Sequence, residues 1–176
     1  MASPRHLALV GLMGAGKTTV GARCAEGLGR PFVDTDDVVE ATLGLSVPEI
    51  FAALGEPGFR EHERRAVADV CASPVPLVIA CGGGAVLDPE NRARLRDTSL
   101  VVWLRAGPAA LAERVADEVA NRPLLRERGA SATLARLDVL RAPAYEAAAH
   151  VIVDTEGRSV DQVAQAVLEE LARCDA

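Results

Sequence analysis

Lys17 is the only lysine in this 176-residue chain, against 18 arginines, and it stands in Gly11-Leu-Met-Gly-Ala-Gly-Lys17-Thr18. Those residue types suit the binding of phosphate. Glycines allow positive φ and a close approach of backbone to ligand. The N–H groups of such a loop, with the helix N-terminus behind it, point at negative charge. A lysine at this spacing reaches the β- and γ-phosphates of a nucleotide, and the Thr18 hydroxyl can take a coordination place on Mg²⁺. Arginine is a planar fork rather than a compact point charge and would serve badly at position 17. The competing interpretation, a glycine-rich turn without a ligand, has to explain why Gly11, Gly16, Lys17 and Thr18 all fall on the pattern.

A phosphoryl-transfer site also needs a carboxylate near the metal. Pro31-Phe-Val-Asp34-Thr-Asp36 offers two, at positions i and i+2. On a strand these share one face, so both can point into a site at the strand's carboxyl end. One could help hold Mg²⁺ through water, and the other could orient or deprotonate an acceptor hydroxyl. The alternative is that Asp36 only caps the helix that follows. Asp154, after Val151-Ile-Val153, competes for this role and ranks second. Gly82-Gly83-Gly84 permits close backbone approach to a ligand, although a tight strand-to-helix turn would use the same residues. Arg60, Arg122 and Arg141 are candidates for capture of carboxylate or phosphate, the task to which a guanidinium is suited.

Several elements must position these groups. Strands are expected at Leu7–Val10, Pro31–Asp34, Leu77–Cys81, Leu100–Leu104 and His150–Asp154, alternating with helical segments. Such alternation implies a parallel sheet covered on both faces. The clearest helical stripe is the last, with Val160, Val163, Ala164, Val167, Leu168 and Leu171 on one face and Ser159 as its N-cap. Residues about 37–71 are expected to hold two or three inserted helices, one capped by Ser46 with Glu49 three positions on. Residues about 117–130 are charged and, apart from Leu124 and Leu125, poor in apolar residues, which suits a mobile lid. Residues about 131–147 read as a helix ending near Ala142-Pro143.

The hydrophobic fraction is 49% with only 3% aromatic residues, which favours α/β packing in one domain. A net charge of −6 argues against a nucleic-acid surface. Cys24, Cys71, Cys81 and Cys174 have no CxxC spacing and read as reduced thiols of a cytoplasmic protein. His6, His62 and His150 are scattered and suit surface or packing roles. No secretory leader is expected, since the first strand starts almost at once, and no apolar run approaches the roughly 20 residues of a membrane span.

Taken as an ordered set, these motifs resemble the shikimate kinases over essentially the whole length. The set is Gly11–Thr18, Asp34-Thr-Asp36, Ile50-Phe51, Gly55-Glu56, Phe59-Arg60, Glu63, Gly82-Gly83-Gly84-Ala85, Arg122-Pro-Leu-Leu125 and Arg141-Ala-Pro-Ala-Tyr145. The resemblance implies a three-layer α/β/α P-loop kinase fold with a central five-stranded parallel sheet, a helical substrate-binding insertion and a mobile lid. It implies transfer of phosphate from MgATP to the 3-hydroxyl of shikimate. Asp36 would contact that hydroxyl, as base or as orienting group. Arg60 and Arg141 would bind the shikimate carboxylate, and the backbone at Gly82 and Gly83 would close over the ring. Gly14, Ala15, Gly16, Lys17, Thr18 and Thr19 would cradle the ATP phosphates, with Thr18 on Mg²⁺ and Asp34 in its outer shell. Arg122 would swing in with the lid against the transferring phosphoryl group. Arg158 would lie on the adenine side, and so would Arg114, although the stretch between Arg114 and Arg122 is about one residue longer than the family pattern and leaves its place open. A monomer is expected, with ATP and shikimate as the small-molecule partners. Two alternatives stand beside this: a related kinase for another polyol acid such as gluconate, and a nucleotide-binding protein without catalysis.

Overall fold

The computed structural model describes residues 6–116 and 129–175. The expected lid over about 117–130, with Arg122, lies almost wholly outside the described residues.

Five strands form one sheet in the order β2-β3-β1-β4-β5. They are β1 (His6–Val10), β2 (Phe32–Asp34), β3 (Val78–Ala80), β4 (Ser99–Arg105) and β5 (Val151–Asp154). Every pairing is parallel, with Leu7 opposite Val78 and Leu100, and Asp34 opposite Ala80. All residues of β1 and all but the last of β4 are buried. Burial at successive positions means that both faces of the sheet are covered, as βαβ crossovers require. Helix α1 (Lys17–Leu28) packs against the C-terminal helix α7 (Val160–Asp175). Helix α4 (Pro89–Thr98) packs against α3 (Val47–Cys71) and α6 (Ala130–Ala148), and α5 (Pro108–Val115) against α6.

Caps set where these helices start and stop. The Ser159 hydroxyl accepts from Gln162 N–H (3.2 Å), and the Gln162 side chain accepts from Ser159 N–H (2.9 Å). Val163, Ala164, Val167 and Leu171 form the buried stripe of α7, whereas Val160 stays exposed. Ser46 donates its N–H to Glu49 (2.8 Å), as the capping pattern predicts, and its hydroxyl donates to the same carboxylate (2.7 Å). Helix α6 corrects the sequence reading: it passes through Pro143 and ends at Ala148. A proline deletes one rung of a helix, but packing on one face can carry the helix across the gap. Leu134, Arg141, Tyr145 and Ala148 are the buried residues of that face.

The insertion between β2 and β3 is α2 (Thr35–Leu43) followed by α3, with a 91° bend between them. Gly55, at φ 68°, breaks the regular course of α3 into two helical stretches. This pair has a small core of its own, Val39, Ile50, Phe59 and Ala66, separate from the main core around the sheet. The cysteines are free; Cys24, Cys71 and Cys81 are buried, and burial raises the Cys24 thiol to about 11. His6 is buried and His150 is exposed; each ring Nδ1 accepts a backbone N–H at 3.0 Å, from Leu77 and Val101 respectively. Among the described residues no single helix is long and apolar enough to cross a membrane.

Candidate active site

The loops after β1, β2 and β3 open on one side of the sheet, where ligands of open α/β sheets collect. A cleft of about 840 Å³ lies there. Its lining unites Gly14, Gly16, Lys17, Thr18, Thr19, Asp34, Asp36, Arg60, Gly82, Gly83 and Arg141, which come from distant parts of the chain.

One half of the cleft is mostly backbone. Gly14 and Gly16 take φ of 81° and 93°, turning the loop into the start of α1. The Lys17 ammonium donates to the carbonyls of Gly11 (2.8 Å) and Leu12 (2.9 Å), so it lies folded across its own loop. The Thr18 hydroxyl donates to Asp34 Oδ2 at 2.9 Å. These two hard oxygen donors face the same cleft and fit a small divalent cation that takes its other ligands from phosphate and water. Among the described residues no three His, Cys, Asp or Glu side chains cluster in a way that could hold a metal ion.

The second half is built from charged side chains on three helices around the glycine turn. Strand β2 stops at Asp34, not beyond it, and the alternation of strand side chains does not explain Asp36. Asp34 is the N-cap of α2, its Oδ1 accepting from Asp36 N–H at 3.0 Å. Capping thus falls to Asp34, and Asp36 enters the cleft from the first turn of α2. Each glycine of the turn meets a different side chain. A Cβ on Gly82 would stand 2.5 Å from Asp36 Oδ1 and 2.8 Å from Glu63 Oε1. On Gly83 it would stand 3.2 Å from Arg141 Nη1, and on Gly84 2.4–2.6 Å from the Arg60 guanidinium. No residue with a side chain fits without displacing these groups.

The charges in this half are poorly compensated. Arg60 donates to Glu63 (2.7 Å) and also to Glu56. Asp36 Oδ1 and Glu63 Oε1 are buried and have no hydrogen-bond partner. Unpaired buried oxygens are costly, and a ligand hydroxyl or cation at this point would relieve that cost. Burial, reinforced by the nearby Asp34 and Glu63 charges, raises the Asp36 carboxyl to about 7. Burial also raises Glu63, with Arg60 and Arg141 opposing it. A carboxyl so poised, deep in a cleft beside a second acid, is the kind of group used for proton handling.

Not every sequence candidate lines the cleft. Ala15 is buried within the loop, its N–H donating to Leu12 O at 3.2 Å. Arg158 is exposed after β5 and is absent from the lining, and Asp154 instead accepts from Glu156 N–H at 3.0 Å. Arg114, left open by the sequence, does line it, donating to Gly14 O (3.2 Å), Thr155 Oγ1 (3.0 Å) and Thr155 O (2.9 Å). The sequence reading gave no role to Glu63 or Tyr145. The signal for Glu63 was its place three residues after Arg60, on the same helical face. The Tyr145 hydroxyl donates to Gly83 O, and its ring lies 5.5 Å from that of Trp103. Phe51 and Phe59, with rings 4.7 Å apart, give the cleft an apolar wall.

Comparisons with known proteins converge on one family. The family model described as shikimate kinase matches residues 13–172. A shikimate kinase of Symbiobacterium thermophilum is 48% identical over 94% of this chain and 95% of its own length. One from Dechloromonas aromatica is 44% identical over 96% and 91%. The solved structure of the shikimate kinase from Acinetobacter baumannii in complex with shikimate superposes with a TM-score of 0.91, at 35% identity, over 98% of this chain and 94% of that one. With a match across nearly its full length and the cleft residues assembled as described, this chain belongs to the shikimate kinase family.

Proposed function

We propose that this protein transfers the γ-phosphoryl group of ATP to the 3-hydroxyl of shikimate, giving 3-phosphoshikimate and ADP. The observation that carries this reading is the meeting of an unpaired, proton-poised Asp36 with two arginines around a glycine turn, directly beside a phosphate-binding loop.

The loop from Gly14 to Thr19 receives the triphosphate, and Lys17 leaves its carbonyl partners for the β- and γ-phosphates. Thr18 and Asp34 would hold Mg²⁺, which when bound offsets phosphate charge. Arg60 and Arg141 take the shikimate carboxylate as a charge-assisted pair of donors. That contact swings the ring so that its 3-hydroxyl meets Asp36 Oδ1, the oxygen that otherwise lacks a partner. Asp36 orients the hydroxyl and accepts its proton as the new P–O bond forms and the bond to the ADP oxygen breaks. Glu63 steers Arg60, and Phe51 with Phe59 faces the ring's apolar side. Phosphoryl transfer asks the protein mainly for positioning and charge stabilisation, and these residues supply both. Arg122 would add positive charge from the lid over about 117–130, with Arg114 and Arg158 toward the adenine. The reading treats residues 1–176 as one domain, with about 37–71 as the acceptor-binding insertion. It also takes the chain to act as a cytoplasmic monomer.

Product analysis tests the proposal. Incubation with MgATP and shikimate should give one phosphate monoester coupled, in a ³¹P–¹H correlation spectrum, to the ring proton at carbon 3. A phosphate at another position, or a product only from gluconate, would refute it.

A further inference from the structure

We infer that Thr35 is a positioning residue of the acceptor half, its buried hydroxyl fixing the glycine turn at working distance from Asp36. The inference rests on the functional reading above and concerns a residue that reading does not use.

Thr35 is completely buried, although it lies between two carboxylates that face the cleft. Its Oγ1 accepts the N–H of Gly82 at 2.8 Å. The reason lies in the sheet. The β2–β3 ladder ends with Asp34 opposite Ala80, because the chain turns into α2 at Thr35. On its other side the ladder with β1 closes with Leu9 opposite Ala80, Cys81 N–H donating to Leu9 O at 3.0 Å. Gly82 N–H then has no strand carbonyl beside it. The Thr35 hydroxyl supplies the missing rung, a side chain standing in for backbone where helix replaces strand. A buried N–H left without such a partner would be costly enough to move the turn.

The tolerance for movement is small. Gly82 is packed so closely on Asp36 Oδ1 and Glu63 Oε1 that even a methyl group would stand 2.5 and 2.8 Å from them. Thr35 is also bonded through the chain to Asp36, so one residue fixes both sides of that approach. On the far side the buried Tyr145 hydroxyl donates to Gly83 O, and the turn is suspended between the two hydroxyls. Glycines alone would leave this segment free to shift, and the tether supplies the rigidity they lack.

Thr35→Val keeps the shape and removes the acceptor; Thr35→Ser keeps the acceptor and removes a methyl group. Steady-state kinetics in both substrates should show Thr35→Val raising KM for shikimate and lowering kcat, with a combined loss in kcat/KM on the order of tenfold to a hundredfold. KM for ATP should stay within about twofold, and Thr35→Ser should recover kcat/KM to within about threefold of wild type. Amide hydrogen exchange at Gly82 should quicken in the valine variant and not in the serine variant. Wild-type kinetics in both substrates from Thr35→Val would overturn the inference, as would an equal rise in both KM values that serine does not rescue. If the valine variant does not fold, Thr35→Ala against Thr35→Ser reads the same split. Failure of the wild type to phosphorylate shikimate at all would fault the functional reading, whereas a failed inference shows only in the variants.

Discussion

The two halves of the cleft are made differently. The phosphate-binding half centres on one contiguous loop whose charged and hydroxyl side chains are paired: Lys17 on two carbonyls and Thr18 on Asp34, with Arg114 from α5 on Gly14 and Thr155. The acceptor half gathers side chains from α2, α3 and α6 around the glycine turn and leaves Asp36 Oδ1 and Glu63 Oε1 buried and unpaired. A triphosphate offers the same shape and charge to many proteins, and backbone N–H groups with one ammonium suffice to hold it. A particular hydroxy acid must be recognised by placed charges, and placed charges with no ligand carry strain. The difference teaches that acceptor recognition here depends on side chains converging from separate helices, while nucleotide binding depends on backbone shape.

Substitutions confined to one half should leave the other intact. The largest effect is expected from Asp36→Asn, which should lower kcat by about 10²- to 10⁴-fold while ATP still binds, as measured by initial rates and nucleotide titration. A comparable loss of ATP affinity would break the division between halves. Arg141→Ala should raise KM for shikimate by at least about 30-fold, equivalent to about 2 kcal/mol for a lost partner of a buried charge, with KM for ATP unchanged. Gly84→Ala pushes a methyl group into the Arg60 guanidinium. A roughly tenfold rise in KM for shikimate should follow, short of the about hundredfold that a 1 Å misplacement can bring.

The smallest effect is on stability and comes from the sign of the Asp36 shift. A carboxyl raised to about 7 in the folded protein stabilises the fold at low pH. That contribution is complete below the ordinary aspartate range and is lost as pH climbs through about 7. Asparagine has no proton to lose, so ligand-free Asp36→Asn should gain on wild type as pH rises from about 4 to 8. The gain should reach on the order of 1–3 kcal/mol, or several degrees in Tm, at the upper end. A melting-temperature difference that is flat across this range would show that Asp36 is not strained by burial.

The same contrast governs what could be read from sequence. The phosphate half was legible because its residues are consecutive and its pattern is set by backbone geometry. The five strands were legible too, within a residue or two, because runs such as Leu7–Val10 and Leu100–Leu104 are apolar at successive positions, the mark of strands buried on both faces. The acceptor half was legible only through the resemblance. Nothing local to Arg60 or Arg141 says that they converge, since α3 and α6 are brought together by tertiary packing. Asp36 does line the cleft, but not by strand alternation: the aspartate that caps the following helix is Asp34, where the sequence reading weighs Asp36. Pro143 misled because the rule for proline is local, whereas the face of α6 carrying Leu134, Arg141 and Tyr145 is held by the main core. Thr35 showed no signal at all, because its role depends on where two strands stop pairing.

The most direct measurement is ADP release by the wild-type protein from MgATP, compared across shikimate, quinate, gluconate and no acceptor. The assembled cleft predicts turnover with shikimate well above every other condition. Equal rates with all acceptors, or turnover with gluconate and none with shikimate, would contradict it.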